Sequence, residues 1–314
     1  MLEIRNFVVD EDEAVWAHIA TVAYEDYEDF RSLSVEEIQK LERSPTFDAS
    51  GMFIAELDGK PVGIVNAYVD KFREEKKGFL WWLGILPEYR RRGVGKALAK
   101  KAVEILKERG MEIAETALDS TREIRIHLFK DLGFKLIRSS SFMKMSLDEI
   151  PFNIGENREV DMRKLDITSE KDIIMLNNHE NECFKEHFNY RPSKLEETRH
   201  WLLENPWLQW QTCFFAQLEG KPVGYISIGI DDKYNREKKT LSGWINDIGV
   251  LKPFRRRGIG TVLMLKALHE LKNKGLENAL LYVDDENPAK AIKLYEKIGF
   301  KTIKKTQIYQ KKLV

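Results

Sequence analysis

Arg90-Arg91-Arg92-Gly93-Val94-Gly95-Lys96 and Arg255-Arg256-Arg257-Gly258-Ile259-Gly260-Thr261 are two copies of one turn, R-x-x-G-x-G. Each follows an apolar run, the first ending near Ile85 and the second containing Ile248, Gly249 and Val250, and each opens a stretch with helical periodicity. Glycine at these places permits backbone conformations and close approach that a Cβ hinders, so successive N–H groups converge on an anion at a helix N-terminus. Arginines beside them add charge-assisted hydrogen bonds to phosphate oxygens. Such a turn suits a pyrophosphate. The dinucleotide fingerprint G-x-G-x-x-G is absent and neither copy ends in Lys-Ser/Thr, so dinucleotides and nucleoside triphosphates fit poorly. A single copy reads equally well as a loop with solvated arginines, and the duplication is what weighs against that.

The repeat extends beyond the turn. Leu57-Asp58-Gly59-Lys60-Pro61-Val62-Gly63 returns as Leu218-Glu219-Gly220-Lys221-Pro222-Val223-Gly224 (218 − 57 = 161), Gly93 returns as Gly258 (258 − 93 = 165), and Gly133-Phe134 returns as Gly299-Phe300 (299 − 133 = 166). Three matches in one order at one spacing indicate two homologous domains. A chain of 314 residues also exceeds what one core usually serves. The expected domains are residues 1–150 and 158–314, with a linker in Asp148 to Glu159, where Pro151, Gly155 and several charges lack any period.

Each half reads as an α/β unit with a mixed, mostly antiparallel sheet flanked by helices. A strand around Glu3 to Phe7 precedes a helix with Val15, Ile19, Val22 and Ala23 on one face, and Ser34-Val35-Glu36-Glu37 and Ser193-Lys194-Leu195-Glu196 have capping-box spacing. Phe53 to Leu57 and Val62 to Val69 form a hairpin about Asp58-Gly59, repeated by Phe214 to Leu218 and Val223 to Ile230. Helices after the turns end at Gly110 and Gly275. A strand (Leu280 to Val283), a helix (Ala289 to Ile298) and a strand (Lys301 to Tyr309) are expected to complete the second half.

Composition narrows the function. The formal net charge is zero, so no global field attracts nucleic acid or an anionic membrane. The longest apolar stretch, Phe79 to Leu86, is too short to span a bilayer, charged residues follow Met1 closely, and Cys183 and Cys213 make no disulfide framework, which together point to a cytoplasmic protein. His179, Cys183 and His187 lie at i, i+4, i+8; a straight helix rises about 12 Å over that span, too far for one ion, so no metal is expected.

The turn after an apolar strand, together with Asn287-Pro288-Ala289-Lys290-Ala291-Ile292-Lys293-Leu294-Tyr295-Glu296-Lys297-Ile298-Gly299-Phe300, resembles the two signatures of the GNAT superfamily of acetyl-coenzyme A dependent N-acetyltransferases. The tandem arrangement, with a better-preserved second half, is similar to mycothiol synthase and its relatives. The resemblance implies that the backbone of Ile248, Gly249 and Val250 holds the pantetheine arm and that the N–H groups from Arg255 through Thr261, spanning Arg256, Arg257, Gly258, Ile259 and Gly260, cradle the pyrophosphate. It further implies that Asn287 contacts the arm and that the Tyr295 hydroxyl protonates the leaving thiolate. Ile85, Arg90, Arg91, Arg92, Gly93, Val94, Gly95 and Lys96 would form a second acetyl-coenzyme A site. The first half has Phe129 in place of Tyr295 and Thr121 roughly in place of Asn287, so it is expected to be non-catalytic.

Transfer requires a neutral amine, and an alkyl ammonium is neutral in only about one part in a thousand at pH 7, a deficit of roughly 4 kcal/mol. Asp247 is the nearest carboxylate on the relevant strand and the candidate proton acceptor. Asp284 lies at the end of the next strand, and Trp244 stands where many members of the family carry a glutamate. Ordered water is the alternative route for the proton. Glu182 and Glu186, among Phe184, Phe188, Tyr190, Trp201, Trp207 and Trp210, are candidates to receive an ammonium, although packing explains the aromatics equally well. Three functions follow: an N-acetyltransferase of a small primary amine (amino acid, aminosugar or polyamine), a protein N-acetyltransferase, or a non-catalytic acyl-coenzyme A binding protein.

Overall fold

A computed structural model describes residues 1–151 and 159–313, so most of the expected linker lies outside the described residues. Its start does not: Ile150 is buried, and Asp148 accepts a hydrogen bond from Lys272 Nζ (3.1 Å). The chain forms two compact units, and they are not the contiguous halves expected. Unit 1 comprises residues 1–139 together with the chain from Thr306 onward, and unit 2 comprises Ser140–Lys305.

Unit 1 contains β1 (Leu2–Asn6), α1 (Glu13–Tyr24), α2 (Val35–Glu42), β2 (Met52–Leu57), β3 (Lys60–Val69), β4 (Lys77–Ile85), α3 (Val94–Glu108), β5 (Ile113–Asp119), α4 (Glu123–Asp131) and the first part of β6 (Lys135–Ser146). Unit 2 takes the rest of β6, then β7 (Asp161–Lys164), α5 (Glu170–Phe184), α6 (Leu195–Leu203), β8 (Trp210–Leu218), β9 (Lys221–Ile230), α7 (Asp232–Lys238), β10 (Ser242–Val250), α8 (Ile259–Asn273), β11 (Asn278–Asp284), α9 (Ala291–Ile298) and the start of β12 (Lys301–Lys312). Within unit 1, Thr306–Lys312 of β12 runs antiparallel to β5. Within unit 2, Ser140–Ser146 of β6 runs antiparallel to β11. The last strand of each half thus completes the sheet of the other unit. Sequence pattern leaves this open, because β6 and β12 both follow Gly-Phe at the end of a helix, and periodicity sets which face a strand buries, not which edge it joins.

The two sheets share one plan: β1–β2, β2–β3, β3–β4 and β5–β12 in unit 1, and β7–β8, β8–β9, β9–β10 and β11–β6 in unit 2, are antiparallel, while β4–β5 and β10–β11 are parallel. Both hairpins turn through left-handed residues, Asp58-Gly59 at φ 51° and 74° and Glu219-Gly220 at 49° and 73°, the hand that matches strand twist. The capping box of α2 closes as expected between Ser34 and Glu37. On α6 the carboxylate that accepts from the Lys194 amide is Glu197, one residue later than the sequence spacing suggests. One face of each sheet is covered by an apolar helix stripe: Leu98, Ala99, Ala102 and Leu106 of α3, and Leu263, Met264, Ala267, Leu268 and Leu271 of α8, all fully buried. No helix among the described residues is long and apolar enough to cross a membrane.

Candidate active site

The turn before α8 is built as its sequence suggests. Gly258 sits at φ 80° as the N-cap residue and Arg256 at φ 64°, so the chain coils back and presents amides to one side. Among the described residues the amides of Gly258, Ile259 and Gly260 make no hydrogen bond, as the first turn of a helix requires, while Thr261 donates to the Gly258 carbonyl. A 15-residue helix behind such a turn favours an anion. The arginines divide the work differently from the expectation. Arg255 turns its guanidinium inward, with Nε on the Val250 carbonyl (3.0 Å), Nη2 on the Cys183 carbonyl (3.1 Å) and Nη1 on Glu186 (3.1 Å). It fastens α5 to the turn. Arg256 is exposed, and Arg257 lies over the Phe254 ring.

Beside the turn the sheet opens. β10 pairs with β11 only from Ser242 to Ile245, and its register against β9 slips between Ile245 and Asp247. Asn246 is the extra residue of this bulge, which bends β10 away from β11. From Asp247 to Val250 the β11 side of the strand is therefore unpaired. Gly249 is required here, since a Cβ would come within 2.7 Å of Cys183 Cβ and 2.9 Å of the Tyr225 ring. α5 consequently lies flat against the strand.

Two carboxyls meet at this contact. Asp247 is open to solvent from one side but otherwise enclosed by protein, and that desolvation pushes its carboxyl up to about 7. Glu180 precedes Cys183 by one helical turn, as Asp247 precedes Gly249 by one strand repeat, and burial followed by the charge of Asp247 pushes its carboxyl up to about 8. The Thr198 hydroxyl donates to Glu180 (3.2 Å). Tyr295, on α9, is buried in the core beside Phe300, and its phenol is raised well above its ordinary value by burial and then by the charge of Asp247. Asp247 and Tyr295, both chosen from sequence, therefore come together.

Glu180 was missed, and its signal was present. Ile173, Leu176, Asn177 and Cys183 form the buried stripe of α5, and Glu180 falls within it. The acids chosen instead face outward: Glu182 pairs with Lys185, and Glu186 bridges Lys252 and Arg255. Asn287 accepts from the Ala289 amide (2.8 Å) and shapes the loop before α9, while Asp284 accepts from the Glu286 amide. Trp244 stacks with Phe142 and Tyr282. Of the other aromatics, Phe184 packs with Cys183 and Tyr225, Trp210 packs on the core of unit 2, and Trp201 is exposed. His179 bonds the Met175 and Pro222 carbonyls, and His187 lies beyond the end of α5 against Phe184. Among the described residues no group of three or more His, Cys, Asp or Glu could hold a metal ion.

Unit 1 repeats the turn and fills the opening. Arg91 has φ 63°, Gly93 has φ 84°, and Arg90 bonds the Ile85 and Ala23 carbonyls. β4 parts from β5 after Phe79. In the gap, Arg125 of α4 donates to the Leu83 carbonyl, as does the Tyr24 hydroxyl (3.2 Å), and the Arg125 guanidinium lies over the rings of Tyr24 and Tyr27. Phe129 is buried against Phe134.

Known proteins share this arrangement. Residues 14–134 and 173–300 each match the Acetyltransferase (GNAT) family. The mycothiol acetyltransferase of Streptomyces coelicolor is 29% identical over 133 residues, an alignment covering 42% of either chain, and that of Mycobacteroides abscessus is 28% identical over 221 residues, covering 69% of this chain and 70% of its own. The solved tandem GNAT protein from the clavulanic acid biosynthesis pathway superposes with a TM-score of 0.79 at 14% identity, over 100% of this chain and 99% of its own. The matched regions take in both glycine turns, the α5–β10 contact and α9, and on that basis the chain belongs to the GNAT family of acetyltransferases.

Proposed function

We propose that this protein transfers an acetyl group from acetyl-coenzyme A to the primary amine of a small molecule, with unit 2 catalytic and unit 1 non-catalytic. The observation that carries this reading is the juxtaposition, at one opening in the sheet, of free amides at a helix N-terminus, an unpaired strand edge beside Gly249, a carboxyl (Asp247) and a phenol (Tyr295). The residues suit the donor: the amides of Gly258, Ile259 and Gly260 match a pyrophosphate, and the edge from Asp247 to Val250 matches the amide-bearing pantetheine arm. Acetyl-coenzyme A supplies the activated acyl group. The protein's own part is proton traffic. Asp247, poised near neutrality, accepts the proton of the arriving ammonium, and the amine it leaves attacks the thioester carbonyl. Tyr295 holds its proton tightly until the departing thiolate takes it, and the second proton that the nitrogen sheds as the amide forms restores the phenol.

The test is thiol release from acetyl-coenzyme A on addition of primary amines, followed with a thiol-reactive dye. Amine-dependent release that Asp247→Asn abolishes supports the reading. Saturable coenzyme binding without release by any amine would favour a non-catalytic acyl-coenzyme A binding protein.

A further inference from the structure

We propose that Glu180, Asp247 and Tyr225 form an acceptor subsite for a primary ammonium carried on an apolar, carboxylate-free body; this rests on the acetyl-transfer reading above. The first ground is position. Cys183 lies against Gly249, so the side chains one repeat earlier on each element, Glu180 and Asp247, face each other across the α5–β10 contact. Glu180 is held in place by a chain of bonds, Asn177 Nδ2 to Thr198 Oγ1 (3.0 Å) and Thr198 Oγ1 to Glu180 (3.2 Å), with Asn177 Nδ2 also on the Ser193 carbonyl (3.0 Å).

The second ground is independent of the acids. Tyr225 is 0% exposed, and its hydroxyl has no hydrogen-bond partner among the described residues. Tyr225 pairs with Gly249 and Ser227 with Asp247, so the Tyr225 ring is on the sheet face of Asp247, and its phenol is raised by burial and then by the charges of Asp247 and Glu180. A buried donor left unmatched in a native fold calls for an explanation, and a bound polar ligand supplies one.

The third ground is what the recess lacks. Among the described residues the groups whose protonation the two carboxyls bear on are Cys213 on β8, Tyr225 on β9, Tyr295 on α9 and Cys183 on α5, none of them cationic. The nearest cations, Arg255 by Cys183 and Arg163 by Cys213, are committed to Glu186 and Asp172. An acceptor with a carboxylate next to its amine would set that charge against two carboxyls with no counter-ion. Further along the same sheet face, Trp244 stacks with Tyr282 and Phe142, and Tyr282 is 44% exposed, so the wall beside the acids is aromatic. α-Amino acids are excluded by this charge pattern, and amines on apolar bodies are accepted.

Phenethylamine and phenylalanine differ by the carboxylate alone and serve as probes. Each is titrated calorimetrically into the full chain saturated with coenzyme A, which has no acyl group to transfer. Phenethylamine is expected to bind at least about tenfold tighter than phenylalanine, and Glu180→Gln is expected to weaken phenethylamine about tenfold or more while leaving coenzyme A affinity within about twofold. Glu180→Asp retains part of the affinity. Equal binding of the two probes, no binding of phenethylamine, or an unaltered Glu180→Gln variant overturns the subsite while leaving the acyl-donor reading standing. Failure of coenzyme A itself to bind overturns both.

Discussion

Arg90 bonds the Ala23 carbonyl in unit 1, and Arg255 bonds the Cys183 carbonyl in unit 2. Arg31 pairs with Glu37, as Arg191 does with Glu197, and the Leu33 amide donates to Thr21, as the Ser193 amide does to Asn181. These correspondences set the first helices 160 residues apart (183 − 23 = 160), so Glu180 stands where unit 1 has Ala20 and Thr198 where it has Ile38. The glycines of the paired strands place Tyr225 over Ile64 and Asp247 over Trp82, and Gly133 with Gly299 places Tyr295 over Phe129 and Ala291 over Arg125. The polar groups around the opening of unit 2 are thus replaced one by one with apolar ones, and the small Ala291 with a guanidinium that fills the gap. Unit 1 keeps the glycine turn and fills the opening beside it. A scaffold of this kind keeps its backbone brackets while its site residues revert to what packs best, because buried polar groups are costly unless they are matched.

Catalysis separates the units most widely. Tyr295→Phe is expected to lower kcat by about 10² or more, the usual worth of a positioned acid, without a comparable change in the KM for acetyl-coenzyme A. Phe129→Tyr restores a hydroxyl in unit 1 but none of its neighbours, and is expected to add no activity in a Tyr295→Phe background. Recovery of turnover in that double variant would show that the two units differ by one residue only.

Cofactor stoichiometry is the next contrast. Native mass spectrometry is expected to find one acetyl-coenzyme A per chain, lost when Gly258 is replaced by valine and kept when Gly93 is. Arg125→Ala combined with Tyr24→Phe clears the Leu83 carbonyl of both its donors, and a second, weaker equivalent is then expected, on the order of tenfold or more below the first in affinity. Two equivalents in the unaltered protein would mean that the Arg125 side chain yields readily to the ligand.

These contrasts were only partly legible in the sequence. The repeat, both turns and the hairpins follow from glycine placement and spacing, which are local properties; Tyr295 follows from the family resemblance, and Asp247 from its place on the strand before the turn. The exchange of β6 and β12 does not, since the choice of edge is made by contacts distant along the chain. Charge next to a glycine turn reads the same whether the side chain points out, as a phosphate ligand would, or back to the Cys183 carbonyl as Arg255 does. Glu182 and Glu186 stand near the aromatics in sequence, whereas the helical stripe of Ile173, Leu176 and Cys183 marks Glu180 as the acid turned inward. Arg125 gave no local signal at all, for only the fold brings α4 over the parted strands.

Packing at the paired glycines gives a smaller contrast. A Cβ on Gly249 meets Cys183 at 2.7 Å and Tyr225 at 2.9 Å, whereas one on Gly84 meets Ala23 Cβ at 3.0 Å and is otherwise no closer than 3.4 Å. Gly249→Ala is expected to destabilise by about 1–3 kcal/mol in urea unfolding and Gly84→Ala by less. Equal losses would mean that α5 shifts away from the strand as freely as α1.

The smallest expected effect concerns the cost of the acidic recess. Glu180 is pushed up to about 8 and Asp247 to about 7, against ordinary values near 4 for the unfolded chain. Between those limits the unfolded chain holds fewer protons than the folded one, so stability falls as pH rises through the window and the loss is complete above both folded values. Glutamine at 180 cannot ionise. Glu180→Gln is therefore expected to raise the melting temperature at pH 9, by on the order of a few degrees, and to leave it unchanged at pH 4. Unit 1, with Ala20 and Trp82 at these places, has no counterpart of these two carboxyls; its own raised carboxyl, Glu42, which burial pushes up to about 7, lies at the end of α2. The same substitution is expected to weaken acceptor binding, which fits a carboxyl retained for function against stability. A melting temperature unmoved at pH 9 would show that Glu180 is already well solvated, and would remove the buried-acid contrast between the units.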